Sequence, residues 1–85
     1  MMDRKTLRAL IDAGAIRRAR LIGEGPQFRL EVDTQQGSQI INTTGGKLRT
    51  WATLDAAAKW IRTLGIGTLQ LELEKWQPAQ RMLKL

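Results

Sequence analysis

Arginine, amide and tryptophan side chains recur along short stretches whose alternating pattern is typical of β-strands, notably "AIRRARLIG", "QFRLEVD" and "KLRTW". Guanidinium groups hold phosphate oxygens in a forked geometry, amide side chains contact base edges, and an exposed tryptophan stacks on an unpaired base. The residues of these types that share one predicted sheet face are Arg18, Arg20, Arg29, Asn42, Lys47, Arg49 and Trp51. Their chemistry indicates a surface that binds a polyanion.

Catalytic chemistry finds little support in the residue types. The sequence has no Cys and no His, so it offers no thiolate nucleophile, no ordinary zinc site and no imidazole for proton transfer near neutral pH. Glu72 and Glu74 alternate along one predicted strand and are interpreted as surface charges rather than as a catalytic pair. Gly45-Gly46-Lys47 lacks the remaining residues of a phosphate-binding loop and is interpreted as a turn. The sequence therefore predicts a protein that is not an enzyme and that uses no cofactor and no metal ion.

The positive charge of the chain is arranged in blocks. The net charge is +6, with six Lys or Arg against two acids in residues 1–20, one against three in residues 21–44, and four against one in residues 45–68. Such a field favours nucleic acid, an anionic surface or an acidic partner, whereas many small proteins are basic for solubility alone. Composition leaves both interpretations open.

The length of 85 residues allows one small domain, residues 1–85, and the patterns predict an α+β fold. It consists of a short N-terminal helix, a four-stranded antiparallel meander, one helix packed on the sheet, a fifth strand and a short C-terminal helix. Capping and terminating residues bound the helices: residues 4–13 between Asp3 and Gly14, the segment between Thr53 and Gly65, and a last helix from Pro78 through Leu85. Strands are predicted at residues 15–23, 27–33, 38–44, 47–51 and 68–74.

The register of the predicted meander follows from its turns. Two-residue turns at Glu24-Gly25 and Gly45-Gly46, with a four-residue turn from Thr34 to Gly37, keep the apolar residues together. The face expected to form the floor for the second helix holds Ala19, Leu21, Phe28, Leu30, Val32, Ile41, Thr43, Leu48 and Thr50. The fifth strand is expected to bury its leucines, to run antiparallel to the first and to give the order 5-1-2-3-4 with a right-handed connection.

The candidate polyanion surface occupies the opposite face. In this register Arg20 lies directly opposite Arg29. Like charges in such positions destabilise the sheet unless an anion or a neighbouring acidic residue compensates for them. The alternative interpretation is that the first helix or a second subunit covers this face, with Ile22, Ile40 and Trp51 as its apolar contacts.

The remaining tryptophans predict packing and association. Trp60 lies at the edge of the apolar stripe of the second helix and is expected to be partly buried against the sheet. Trp76 is expected to head a small apolar patch at the chain end with Met82 and Leu83, which favours a dimer or a partner contact over packing back on the domain.

Three segments carry a resemblance to a known family: "TLRALIDAGAIRRARLIG", "LRTWATLDAAAKWIRTLGI" and the closing "W-Q-P-A-Q". They resemble small plasmid-borne or mobile-element proteins of the partition protein C family, and "R-T-W-x-T-L-D-A-A-A" is the most specific part. The resemblance spans most of the chain and implies a context of DNA maintenance, with partition-system proteins as partners. It assigns no functional residues.

The sequence thus predicts an accessory protein of plasmid or mobile-element maintenance that binds nucleic acid, most readily DNA, through the basic sheet face. The arginines would hold phosphates, Asn42 would contact a base edge and Trp51 would stack. The alternative is a dimeric protein-interaction module that uses the C-terminal patch. A cytoplasmic location without a membrane segment is expected, because no apolar run approaches the length of a membrane helix.

Overall fold

The computed structural model describes residues 2–77, which form two helices and five strands. In chain order these are α1 (Arg4–Asp12), β1 (Arg18–Gly25), β2 (Gln27–Thr34), β3 (Gly37–Ile40), β4 (Thr50–Trp51), α2 (Leu54–Arg62) and β5 (Gln70–Trp76). The α+β class is therefore confirmed. The predicted C-terminal helix from Pro78, together with Met82 and Leu83 of the predicted patch, lies outside the described residues.

Both helices begin at the residues whose side chains cap them. The backbone N–H of Thr6 donates to Asp3 Oδ1 at 3.0 Å, and that of Ala56 donates to Thr53 Oγ1 at 3.1 Å. Each bond satisfies a backbone donor that has no partner within its helix. Two glycines with positive φ follow the helices, Gly14 and Gly65. The predicted starts of both helices are confirmed, and their predicted ends are confirmed to within two residues.

The sheet is mixed, so the predicted antiparallel meander and the antiparallel fifth strand are wrong in part. β1 and β2 form an antiparallel hairpin, and β5 adds to the free side of β1 in parallel orientation. β3 and β4 both pair with β2, each antiparallel to it, so they run in the same direction along one edge. β3 and β4 pair with successive parts of β2, so both run parallel to β1. The connection through α2 then places β5 beside β1 in parallel rather than antiparallel orientation.

The hairpin between β1 and β2 is shifted by two residues from its predicted register. Glu24 pairs with Gln27, so the turn is Gly25-Pro26, where Gly25 has φ of +61°. A positive φ at a turn position is readily adopted by glycine, and proline fixes the next φ at a negative value. A shift of two residues preserves the faces of the strands. It does change the partners, however, because Arg20 now lies opposite Glu31.

The loop between β3 and β4 is shifted by one residue, which has a larger effect. Asn42 bridges to Leu48, whereas the Gly45-Gly46 turn predicted that it would lie opposite Arg49. A one-residue shift moves alternate side chains to the other face of the sheet. Trp51 is consequently 8% exposed on the helix side, while Leu48 is 47% exposed. The turn between β2 and β3 has its predicted register, with Asp33 opposite Ser38.

One hydrophobic core lies between the sheet and the two helices. Its sheet residues include those predicted on β1 and β2, and its helical residues include Ala57 and Ile61 of α2. Trp60 and Leu69 are partly buried against it, as predicted. Leu71 and Leu73 are 39% and 43% exposed, so the buried face predicted for the fifth strand is wrong at these two residues. The open face of the sheet, away from the helices, is polar.

Trp76 is the last residue of β5 and packs into the domain rather than heading an exposed patch. Its ring centroid lies 5.3 Å from that of Phe28. A register shift between Ile22 and Glu24 in the pairing of β1 with β5 brings Trp76 opposite Gly25. A Cβ atom built on Gly23 would approach Trp76 Cβ at 2.7 Å, so β1 and β5 fit together here because Gly23 has no side chain.

Replacing Gly23 with alanine tests this packing. We expect Gly23→Ala to lower the free energy of unfolding by about 1–3 kcal/mol, the range for an overpacked core, because the added methyl group displaces Trp76. The control Gly67→Ala places its methyl in open space and should change stability by less than about 0.5 kcal/mol. Urea unfolding followed by tryptophan fluorescence measures both, and equal stabilities would contradict the packing of Trp76 on β1.

Candidate nucleic-acid interface

Arg20 lies at the centre of the open sheet face and is surrounded by carboxylates. Its Nη2 lies 3.0 Å from Glu31 Oε1 and 3.1 Å from Asp33 Oδ1, and its Nη1 lies 3.6 Å from Glu72 Oε2. The side chain is 16% exposed. The acids opposite and beside it on neighbouring strands, rather than a bound anion, explain why an arginine is tolerated at this position.

Two of the three other arginines predicted on this face, Arg18 and Arg29, are also paired. Arg18 Nε lies 2.9 Å from Asp33 Oδ2, and Arg29 Nε lies 3.0 Å from Glu31 Oε2. Arg29 also pairs with Glu24. The network joins three arginines to four carboxylates: Arg18, Arg20 and Arg29 with Glu24, Glu31, Asp33 and Glu72. The open face is therefore not a basic surface, although its arginines are where the face assignment placed them.

The ionisation of Asp33 reflects this network. Hydrogen bonds from Arg18, Ser38 and Arg20 to its carboxylate lower the pKa of Asp33 from 3.8 to about 2. The hydrogen bond to Asp33 in turn raises the pKa of Arg20. Both shifts favour the charged form of the Asp33–Arg20 pair.

The other predicted site residues lie elsewhere. Asn42 is half-buried in the segment between β3 and β4, and its backbone N–H donates to Met2 O at 2.8 Å. Lys47 is exposed on the same segment. Trp51 is buried beneath α2, so it cannot stack on a base in the way that the sequence predicted. The structure therefore divides the candidate set among the open face, the connecting segment and the helix side.

The prediction that Arg49 lies on the open face is wrong: the one-residue shift that buries Trp51 also places Arg49 on the helix side, against two indole rings. Its Cζ atom lies 4.7 Å from the ring centroid of Trp60 and 5.5 Å from that of Trp51. The two rings themselves lie 5.2 Å apart at an angle of 53°. Arg49 Nε is buried without a hydrogen-bond partner. Unlike the arginines of the open face, Arg49 forms no ion pair within residues 2–77.

Arg4 contacts the C-terminal end of α2, near the residue on which Arg49 stacks. Arg4 Nη2 lies 3.5 Å from Thr63 Oγ1, and the Thr63 hydroxyl donates to Trp60 O at 2.6 Å. Arg4 and Arg49 therefore contact the same end of α2, where the negative end of the helix dipole favours cations. We use the name helix-end cluster for the exposed or half-exposed cations of α1, of α2 and of the residue before β4 that form no ion pair within residues 2–77: Arg4, Lys5, Arg49 and Arg62.

Sequence reasoning missed three members of the helix-end cluster. Arg4 and Lys5 occupy the first turn of α1, where cations oppose the helix dipole and the only acid at this helix end is the capping residue Asp3. Arg62 ends α2. The unfavourable placement of Arg4 and Lys5 was a usable signal, but no pattern in the sequence indicates that the start of α1 meets the end of α2.

Other features of the described residues suggest no competing site chemistry. A groove of about 480 Å³ lies between the end of α1 and the turn joining β2 to β3. Polar side chains with long stems dominate its rim: Arg17, Gln35, Gln36 and Gln39. No group of three acidic residues suited to a metal ion occurs within residues 2–77, and neither helix there has the length and apolar character needed to cross a membrane.

Comparison with known proteins yields no family model, no curated protein and no solved structure that matches this chain. The resemblance to the partition protein C family consequently stays a prediction from sequence patterns.

The low pKa of Asp33 predicts an acid-dependent loss of stability. Because its pKa is lower in the folded chain than the ordinary 3.8, Asp33 stabilises the fold above about pH 4, and this contribution disappears as pH falls from 3.8 to about 2. We expect Asp33→Asn to reduce stability at pH 5 and to flatten the pH dependence over this interval, as measured by urea unfolding at each pH.

The matched control for this prediction is Asp55→Asn. It makes the same change in charge, but the pair of Asp55 with Lys59 is largely exposed and should contribute little. If both variants retain the same pH dependence as the original chain, the assignment of this loss to Asp33 is wrong.

Proposed function

We propose that this protein is a non-enzymatic nucleic-acid-binding protein that holds the phosphate backbone with the helix-end cluster rather than with the open sheet face. The observation that carries the proposal is the separation of cations into two classes. Arginines of the open face are each paired with carboxylates, whereas Arg4 and Arg49 each contact the C-terminal end of α2 and have no carboxylate partner in residues 2–77.

Competition for the guanidinium groups favours the helix side. Carboxylates lie about 3 Å from Arg18, Arg20 and Arg29, so a phosphate that binds at the open face must displace them. The charge-assisted hydrogen bonds lost in this exchange are similar in strength to those formed. The cations of the helix-end cluster have no carboxylate partner within residues 2–77, so a phosphate can bind them without displacing one. Phosphate contacts there add to the interactions of the free protein, so the same number of contacts gives a larger net affinity.

The placement of charge in α1 supports the same surface. Arg4 and Lys5 lie in the first turn, where the positive end of the helix dipole repels them. An anion bound near these side chains would relieve the repulsion. The overall charge of +6 adds a long-range attraction that speeds encounter with a polyanion.

The biological context of the proposal comes from sequence resemblance. Similarity to partition protein C proteins supports a role as an accessory protein of plasmid or mobile-element maintenance, with DNA as the nucleic acid and partition-system proteins as further partners. The binding proposal does not depend on this context, because it rests on the charges of the described residues.

Paired double variants test the binding surface. We expect Arg4→Gln with Lys5→Gln to weaken binding to a labelled DNA duplex about tenfold or more at 50 mM salt, because phosphate contacts supply most of the affinity. The control, Arg18→Gln with Lys75→Gln, removes the same charge from exposed positions of β1 and β5 and should have a much smaller effect. Fluorescence anisotropy measures both affinities.

Salt provides an independent check of the same proposal. Affinity of the original chain should fall on the order of tenfold or more between about 50 and 200 mM salt if several phosphates are held. If the two double variants lose the same amount of DNA affinity, only the net charge of the protein matters. If the original chain does not bind DNA at low salt, the proposed function is wrong.

A second candidate function, a homodimeric interaction module, is favoured by the exposed leucines of β5. Leu71 and Leu73 are 39% and 43% exposed on a strand that pairs on one side only within residues 2–77. A second copy covering them would remove apolar surface from water.

Sedimentation equilibrium distinguishes this second candidate. A dimer should persist at high salt and dissociate in Leu73→Lys, while Leu54→Lys, a similar change at an exposed leucine of α2, should leave it intact. A monomer throughout the micromolar range would exclude the homodimeric module.

A further inference from the structure

We propose that the guanidinium of Arg49, stacked on Trp60 and Trp51, is a phosphate-binding site and the principal anchor of the helix-end cluster. This inference rests on the proposed function and deepens it, because it names the group that contacts the ligand and the chemical class of that ligand. Three features of the described residues carry it: the fixed position of the guanidinium, its unused hydrogen-bonding capacity and a second arginine at the same helix end.

The guanidinium of Arg49 is held in place before any ligand arrives. Its Cζ atom lies 4.7 Å from the centroid of Trp60 and 5.5 Å from that of Trp51. The backbone N–H of Arg49 donates to Ile41 O at 3.1 Å, which fixes the start of the side chain. A flat guanidinium stacks well on an indole ring, and a side chain already ordered loses less conformational freedom on binding.

The donors of Arg49 have no acceptor within residues 2–77. Nε is buried there without a hydrogen-bond partner, and no carboxylate of these residues pairs with the side chain. By contrast, Arg20 of the open face contacts three carboxylates. Stacking of this kind leaves the terminal nitrogens free to donate, and two parallel donors match two oxygens of a phosphate group.

A second guanidinium lies at the same end of α2. Arg4 reaches the hydroxyl of Thr63, the residue that caps α2, while Arg49 covers the ring of Trp60 three residues earlier. The carbonyl groups at this helix end repel anions, so the phosphate is expected on the outer sides of the two guanidinium groups rather than on the helix axis. The pair of arginines then offsets the repulsion.

The recognised chemistry is an oxyanion of the phosphate class, contacted through the backbone of the nucleic acid. Trp51 is buried and Trp60 is covered by Arg49, so neither indole is available to stack on a base. Guanidinium donors that contact only phosphate oxygens carry no base preference. Duplex and single-stranded DNA should therefore both occupy it, with the strand type affecting affinity only through backbone spacing.

The first test uses inorganic phosphate and the original chain, so it requires no variant to fold. In a ¹H–¹⁵N correlation spectrum, the indole N–H signal of Trp60 should shift saturably as phosphate replaces chloride at constant ionic strength. The indole signal of Trp76, which packs on Phe28 away from Arg49, serves as the internal control. A linear or equal response of both indoles would indicate a general ionic effect and would overturn the site.

The second test compares matched arginine-to-lysine changes. Arg49→Lys keeps the charge but loses the planar fork, so we expect duplex DNA to bind about tenfold more weakly, the loss of one charge-assisted contact. Arg18→Lys makes the same change at a paired arginine of the open face and should leave affinity unchanged. Circular dichroism checks that both variants are folded.

The outcomes separate this inference from the function on which it rests. If DNA binds but Arg49→Lys matches the original chain and phosphate leaves Trp60 unmoved, the anchor is wrong while nucleic-acid binding stands. If phosphate shifts Trp60 saturably but DNA does not bind, the anion site is correct and the proposed function is wrong. If Arg49→Lys weakens DNA binding and abolishes the phosphate-dependent shift of Trp60, while Arg18→Lys changes neither, the proposal is supported.

Discussion

The burial of Trp51 between the sheet and α2 is the contact on which most of the structure depends. It fixes β4 beside β2, with Trp51 opposite Phe28, and thereby makes β4 a continuation of the row begun by β3. From that position α2 carries the chain across the sheet so that β5 returns parallel to β1. The same burial brings Trp51 against Trp60 and creates the stack on which Arg49 lies.

The second organising principle is the pairing of charges between adjacent strands. Arg20 meets acids on β2 and β5, so the open face gains specific cross-strand contacts without gaining positive charge. Partly exposed ion pairs contribute modestly to stability, but a connected network restricts the geometry of its members more than isolated pairs do. The excess positive charge of the described chain therefore lies on residues outside this network, including residues at the start of α1 and at the end of α2.

These two constraints together connect fold to function. A guanidinium that forms ion pairs with carboxylates contributes to strand pairing, whereas a guanidinium that stacks on an indole leaves its N–H donors available to bind another molecule. Arg20 and Arg49 are the same residue type on the same sheet, and only their neighbours separate the two roles. The proposed binding surface therefore follows from which acids the fold brings near each arginine, and the total charge of the chain is a poor guide to it.

Local patterns in the sequence were sufficient to predict the helices and the inward faces of β1 and β2. Asp3 and Thr53 cap their helices through bonds within a few residues, and alternation along β2 places Phe28 in the core whichever strand lies beside it. The turn between β2 and β3 has the register that the sequence predicted, but the registers of the β1–β2 hairpin and of the loop between β3 and β4 were decided only by tertiary packing. A two-residue shift leaves the alternation unchanged, so nothing local distinguishes Glu31 from Arg29 as the partner of Arg20. A one-residue shift at Asn42 became favourable because it buries the Trp51 indole against α2, and that gain arises between segments that no local pattern connects.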